Sequence, residues 1–297
     1  MNTVSTLSLQ EHVFVFNNFA MSCSNRFIVL SCARSGSTYL MSLLQSNPAI
    51  KMQGELFNLS VLSSILLDLT VSDPKKYVED SLSSEDQYVT SCGFKLFYGH
   101  ATLQNFLGDV SALRFKDEAH PNLVKKMQNQ SEYLLKRYSK KDLKKASKTL
   151  RKYLKRNTEF KIVHLMRRNK LKRLLSLKKA YVTDVWDSSQ KTPEFYNKTI
   201  RLSYDECVQD FKKTKQYQKK YRSFFSKHEQ LDIYYEDLAK DVENVMDTIQ
   251  KFIGVQPVTL RSDLKKQGSM PLSKAIENYD ELKAQFEGRP ENVYFED

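Results

Sequence analysis

Phe27-Ile28-Val29-Leu30-Ser31-Cys32-Ala33-Arg34-Ser35-Gly36-Ser37-Thr38-Tyr39-Leu40 is the stretch on which the fold turns. A run of strand-forming residues stops in small, hydroxylated ones that carry one arginine. Leu40, Met41, Leu43 and Leu44 then follow at helical spacing. The order reads strand, tight loop, helix. Backbone N–H groups at such a helix start converge on an anion, and the helix dipole favours negative charge there. Ser35, Ser37 and Thr38 add hydroxyl donors, and Arg34 adds charge-assisted ones. The stretch therefore reads as a phosphate cradle, with a serine-rich turn capping a helix as the plainer alternative. A nucleoside-triphosphate loop needs two spaced glycines followed by Lys and Ser/Thr. Here Gly36 stands alone and no Gly-Lys pair follows. A loop this short wraps one phosphate.

A second apolar run, Phe160 to Leu165, ends in Met166-Arg167-Arg168-Asn169-Lys170. Ser176 lies eight residues after Arg168, followed by Leu177, Ala180 and Trp186. An arginine at a strand end and a serine two turns into the next helix can clamp a second phosphate. Further candidate segments are Gly54-Glu55-Leu56-Phe57-Asn58, Gly93-Phe94-Lys95-Leu96-Phe97, Ile233-Tyr234-Tyr235-Glu236-Asp237-Leu238, Lys265-Lys266-Gln267 and Ile276-Glu277-Asn278-Tyr279.

In these segments the chain resembles the sulfotransferases that use 3′-phosphoadenosine 5′-phosphosulfate (PAPS). The resemblance is nearest to the bacterial carbohydrate branch that includes trehalose and nodulation-factor sulfotransferases. Many other members carry a proline two residues after the arginine, where this chain has Lys170. The resemblance covers about residues 26–285 and is weakest between about 59 and 160. It implies an α/β, P-loop-like three-layer fold with a mainly parallel central sheet flanked by helices. It implies that Arg34, Ser35, Gly36, Ser37, Thr38 and Tyr39 hold the 5′-phosphosulfate. Arg168 and Ser176 would hold the 3′-phosphate, and Lys266 and Gln267 would belong to a C-terminal cap over the nucleotide. PAPS would be the donor, its product 3′-phosphoadenosine 5′-phosphate (PAP), and no metal would be needed.

The acceptor must lose a proton as its bond to sulfur forms, so a base within hydrogen-bond reach is required. Glu55, after the cradle helix, is the first candidate; its alternative is a cap on a helix starting near Leu59. His100 is the second candidate. Lys95 resembles the family's strand lysine and is a second catalytic cation beside Arg34; its alternative is a surface lysine on an edge strand. His164, inside an apolar run, reads as a core residue.

The chain of 297 residues is long enough for one large core, so residues 26–297 read as a single domain preceded by an arm, 1–25. A hydrophobic share of 40% with only 8 Gly and 7 Pro argues against disorder. No apolar run reaches the ~20 residues of a membrane span, and Met1–Gln10 has no signal-peptide pattern. Cys23, Cys32, Cys92 and Cys207 lack paired spacing and read as reduced residues, which points to the cytoplasm. Net charge is +12, which would help capture an anionic donor. Much of it is local: Lys136 to Arg156 holds eleven Lys/Arg against Asp142. Leu143, Ala146, Leu150 and Leu154 give that stretch a helical apolar stripe with a basic outer face.

Strands are expected over 27–31, 92–97, 160–166 and 231–235. Helices are expected over 38–46, 59–67, 74–81, 123–155, 170–183, 193–226, 242–253 and 273–285. Strands separated by helix-length segments form a parallel sheet, with ligand loops at their carboxyl ends. The acceptor reads as a small molecule or carbohydrate, with no nucleic-acid partner. Tyr181, Trp186, Phe195, Tyr196 and Tyr204 could stack on it, and Asp184 and Asp187 could pair with an amine or guanidinium. A sugar and a natural product such as a guanidinium alkaloid both remain open, as does sulfation of oxygen or nitrogen. The arm packs on the domain or on a second subunit, which would make a homodimer. A small-molecule kinase and a basic RNA- or membrane-binding protein are the alternatives from other classes.

Overall fold

The computed structural model describes residues 21–107, 115–186, 198–262, 264 and 270–296. Five parallel strands form its central sheet: β1 (Asn25–Ser31), β2 (Ile50–Gln53), β3 (Ser91–Phe97), β4 (Phe160–Met166) and β5 (Gln230–Tyr234). Their spatial order is β2-β3-β1-β4-β5. β1 is central, pairing Val29 with Lys95 on one side and with Val163 on the other. A parallel sheet covered on both faces demands near-continuous apolar strands, and β1, β3 and β4 meet that demand.

Alternation along β1 assigns the two faces. Phe27 and Val29 join Leu40, Leu43 and Leu44 of helix α1 (Ser37–Gln45) in one cluster. Ile28 and Leu30 join Phe94, Phe160, Leu143 and Leu150 in the other. Each fully buried side chain of this size stabilises the fold by about 1.5–3 kcal/mol relative to exposure. The parallel connections bring the loops after β1 and β4 to one end of the sheet, as the sequence pattern required: the Arg167 Nη1 group donates to the Arg34 carbonyl at 3.1 Å.

The strands and the helices over 74–81 and 170–183 lie where the pattern put them, to within a residue or two. Other boundaries differ for local reasons. The single helix expected over 123–155 is two, Pro121–Arg137 and Lys140–Arg156. Ser139 breaks it by forming a capping box with Asp142, which satisfies both groups' N–H donors. The helix expected over 59–67 is a short turn, Leu59–Val61, followed by Ser64–Ser72, which Ser63 caps. The long helix expected from 193 starts at Tyr204, behind another capping box at Ser203 and Glu206. The expected 273–285 helix divides into Leu272–Ala275 and Tyr279–Gln285. Edge strand β2 escaped the reading because four residues carry too little alternation to register.

Cys23 and Cys92 correct the expectation of reduced cysteines: they are joined as a disulfide, Cα atoms 5.8 Å apart. The pairing follows from sheet register, which sets Arg26 beside Cys92 and brings the chain before β1 alongside the start of β3. Cys32 and Cys207 take no part in a disulfide. Residues 1–20, Asp187, Phe195, Tyr196, Lys266 and Gln267 lie outside the described residues, so the expectations placed on the arm's first twenty residues and on those side chains do too. Among the described residues no helix is long and apolar enough to cross a membrane.

Candidate active site

The loop after β1 leads into α1 through two left-handed residues, Arg34 at φ 67° and Gly36 at φ 87°. Gly36 is the N-cap, no side chain caps α1, and no acidic residue occupies its first turn. The first N–H groups of a helix lack intrahelical partners, so this end offers donors and positive potential to a ligand. Ser35 and Ser37 are buried and Thr38 is exposed. Ser35 Oγ lies 3.1 Å from Cys32 Sγ.

Gly36 has a second reason to be glycine. A Cβ there would sit 2.8 Å from Tyr235 Cε2 and closer still to Cδ2. Tyr235 opens a short helix (Tyr235–Lys240) directly after β5. Arg167 lies over the same ring, its Cζ 4.9 Å from the centroid. Burial lowers the pKa of the Arg167 guanidinium, while Tyr235 and Glu236 act against that shift. Tyr235 and Arg167 form the floor of the cradle, and neither was singled out from sequence. The adjacent arginines Arg167 and Arg168 were a signal, but which one turns inward is decided by the sheet.

Arg173, also unmarked in the sequence reading, is buried beneath the loop. It pairs with Asp210 through Nη2, and its Nη1 donates to the Ala33 carbonyl at 3.5 Å. The loop backbone is thus held from below by two arginines at Ala33 and Arg34.

Arg34 itself reaches sideways. Its Nε donates to Ser176 Oγ at 2.9 Å and its Nη1 to the Trp186 carbonyl at 2.5 Å. The structure therefore joins Ser176 to Arg34. Arg168 is engaged elsewhere: it forms two bonds to the Asp237 carboxylate at 2.6 and 2.7 Å and lies 4.0 Å over the Tyr234 ring. Glu236 accepts the backbone N–H groups of Arg168 and Asn169 at the start of helix Lys170–Thr183. Both Arg168 and Asp237 are half exposed. Exposed ion pairs are typically worth about 0.2–1 kcal/mol, and solvent reaches both partners here, so the carboxylate is open to exchange for another anion.

On the other flank, Lys95 rises from β3. That strand has neighbours on both sides, which overturns the alternative of a surface lysine on an edge strand. Lys95 is 4% exposed. Its Nζ lies 2.8 Å from Glu55 Oε1 and 3.5 Å from Thr38 Oγ1, linking the cradle helix to the carboxylate. Glu55 is not a helix cap; its Oε2 accepts from Asn58 Nδ2 at 3.1 Å. His100 stands 3.8 Å from the same oxygen through Nε2. Its Nδ1 accepts the Phe97 N–H at 3.3 Å, which leaves the proton of the neutral ring on Nε2. Burial pushes the imidazole down to about 4; Glu55 pulls the other way and Lys95 adds to the lowering. His100 is therefore neutral at pH 7, with its lone pair already used by the backbone. Glu55 is the better-placed proton acceptor of the two.

His164 is a satisfied core residue on one side, with Nε2 2.7 Å from Tyr98 OH, while Nδ1 faces Asp232 at 3.4 Å. Tyr181 and Trp186 meet edge to face at 5.4 Å, with Asp184 accepting Trp186 Nε1–H at 3.0 Å. Tyr204 packs on Phe286, centroids 4.8 Å apart, and belongs to the C-terminal apolar cluster. Among the described residues no group of three or more His, Cys, Asp or Glu is placed to hold a metal ion.

Comparison with known proteins bears on the family. Nodulation protein H of Rhizobium meliloti is 28% identical over 143 residues, 46% of this chain and 56% of the relative. The same protein of strain 1021 matches with the same identity and coverage. The chain thus spans about half the length of the curated relatives it matches. A crystal structure of a sulfotransferase from Alicyclobacillus acidocaldarius is similar at 14% identity and TM-score 0.46, over 91% of this chain and 94% of that one. The sulfotransferase domain of the Synechococcus PCC 7002 olefin synthase is similar at 15% identity and TM-score 0.34, over 80% and 76%. Likenesses as loose as these two carry no argument here. Residues 26–259 match the family model of the sulfotransferases, and on that match the chain belongs to the sulfotransferase family.

Proposed function

We propose that this chain moves the sulfuryl group of PAPS to a hydroxyl or amine of a small-molecule or carbohydrate acceptor and releases PAP. The observation that carries this reading is the pairing of two features. One is an uncapped helix start behind a left-handed Gly36. The other is a buried lysine that spans from Thr38 to the carboxylate of Glu55.

PAPS supplies an activated sulfuryl group on a phosphate leaving group. The residues present fit it: the α1 start, Ser35, Ser37, Thr38 and Arg34 are donors for the 5′-phosphosulfate. Arg168, exchanging Asp237 for phosphate, and Ser176, released from Arg34, are donors for the 3′-phosphate. Gly36 and Tyr39 shape the loop, and Lys266 and Gln267 are assigned to the cap by resemblance alone. Glu55 takes the proton from the acceptor hydroxyl, a contribution of ~10²–10⁴-fold. Lys95 orients that carboxylate through their 2.8 Å ion pair, and Arg34 and Lys95 offset negative charge that develops on transfer.

The test is thermal shift with PAP, ATP–Mg²⁺ and RNA in parallel. Stabilisation by micromolar PAP alone supports the reading, because a ligand that binds only the native state raises its stability. Stabilisation by ATP–Mg²⁺ and not by PAP would replace it with a kinase. An acceptor screen with ³⁵S-labelled PAPS then separates sugars from natural products.

A further inference from the structure

We propose that Arg34 is a latch: it fastens the segment Thr183–Trp186 across the donor site, and donor binding frees that segment. The inference rests on the reading of the cradle as the PAPS/PAP site and adds a regulation to it. Arg34 and Ser176 are assigned to opposite ends of the nucleotide, yet here they bond to each other at 2.9 Å. The same guanidinium also holds the main-chain carbonyl of Trp186. A hydroxyl and a carbonyl are neutral acceptors. A phosphate dianion forms shorter, charge-assisted bonds to the fork of an arginine, about twice as strong. Donor phosphate therefore competes with Trp186 and Ser176 for the Arg34 fork, and wins it.

Asp184 fixes the shape that the segment has in this closed form. Asp184, left-handed at φ 53°, ends helix Lys170–Thr183. Its Oδ1 accepts Trp186 Nε1–H at 3.0 Å, and its Oδ2 accepts Lys126 Nζ at 3.0 Å. The Val185 N–H is held by Thr183 Oγ1 at 3.3 Å. Trp186 leans edge-on against Tyr181. These bonds hold the segment in the form in which its Trp186 carbonyl meets Arg34. Tyr181 and Trp186 are candidate acceptor contacts, so releasing the latch couples donor occupancy to the acceptor side. Donor-first binding follows from that coupling. A site that must open before it binds shows an affinity lowered by the fraction that is open, so weakening the segment's closed form tightens donor binding.

The chain has one tryptophan, Trp186, so its emission reports this segment alone. PAP is titrated into the full-length protein while emission and binding heat are recorded. The latch predicts an emission change that tracks calorimetric binding. Arg34→Ala without PAP should already emit like PAP-bound wild type. Asp184→Ala removes both side-chain bonds and disfavours the left-handed turn, so it should bind PAP about three- to tenfold tighter. PAP binding by calorimetry with emission unmoved would overturn the latch. So would Arg34→Ala emitting like ligand-free wild type, or Asp184→Ala binding PAP no tighter. An equal PAP-induced change in Arg34→Ala and wild type would mark direct contact with the ring and overturn it as well. If wild type shows no binding heat with PAP, the donor reading itself has failed and the latch with it.

Discussion

Gly36→Ala is the substitution for which the structure makes the sharpest demand. Two separate effects act on one methyl group. The backbone at φ 87° lies in the left-handed region, which costs a non-glycine residue about 1–2 kcal/mol. The added Cβ also enters the space of the Tyr235 ring, 2.8 Å from Cε2 and closer to Cδ2. Tyr235 cannot retreat freely, because Arg167 stacks on it and in turn holds the Arg34 carbonyl. Overpacking of a filled site typically costs about 1–3 kcal/mol. The sum is a loss of about 2–5 kcal/mol in unfolding free energy, readable by urea denaturation. PAP affinity should fall with it, since the loop and its floor shift together. The two effects separate in a double-mutant cycle with Tyr235→Ala. Removing the ring relieves the steric part and leaves the backbone part, so the coupling between positions 36 and 235 should be about 1–3 kcal/mol, favourable in the double mutant. Additive free energies would refute the contact. A Gly36→Ala protein of wild-type stability and PAP affinity would refute the whole geometry of the cradle.

Glu55→Gln should keep PAP affinity near wild type and lose ~10²-fold or more in turnover with the acceptor that a ³⁵S screen identifies; His100→Ala should keep most of its turnover, and the reverse pattern would make His100 the base. Arg168→Ala should weaken PAP by about 1.5–3 kcal/mol, the scale of a charged hydrogen bond, and adenosine 5′-phosphosulfate, which lacks the 3′-phosphate, should bind wild type poorly; equal binding of both nucleotides would remove Arg168 and Ser176 from the site. Burial pushes both His100 and His164 down to about 4 from an ordinary value of 6.5. The unfolded chain therefore binds protons that the folded one refuses between those values, so stability is complete above about pH 6.5 and falls as pH drops toward 4. Two such groups give a slope of up to about 2.7 kcal/mol per pH unit, measured by urea midpoints at pH 7, 6 and 5; a flat profile would show that neither ring is buried neutral.

The strand before Arg34 and the strand before Arg168 were legible because they are local patterns. Apolar runs, turn residues and helical periodicity act between residues a few positions apart. The caps at Ser63, Ser139 and Ser203 were equally local. Ser139 with Asp142 and Ser203 with Glu206 are capping boxes written in the sequence, and heeding them would have divided the basic helix and shortened the one expected from 193. The basic outer face survives that division: Leu143, Leu150 and Leu154 are buried, and the lysines between them are exposed.

By itself the sequence determined the parallel α/β architecture, the family, the strand–loop–helix around Arg34 and the choice of Glu55, Lys95 and Arg168 as residues of interest. The tertiary structure alone decided their partners. Lys95 became buried between Thr38 and Glu55 because β3 lies inside the sheet, beside β1. Tyr235 came to rest under Gly36, and Cys23 to bond with Cys92, through strand order and register. Arg34 found Ser176 across 142 residues of chain. Periodicity tells which face of an element turns inward. It cannot tell which distant side chain will be waiting there, because that depends on the order in which strands assemble, and that order is set by the packing of the whole core.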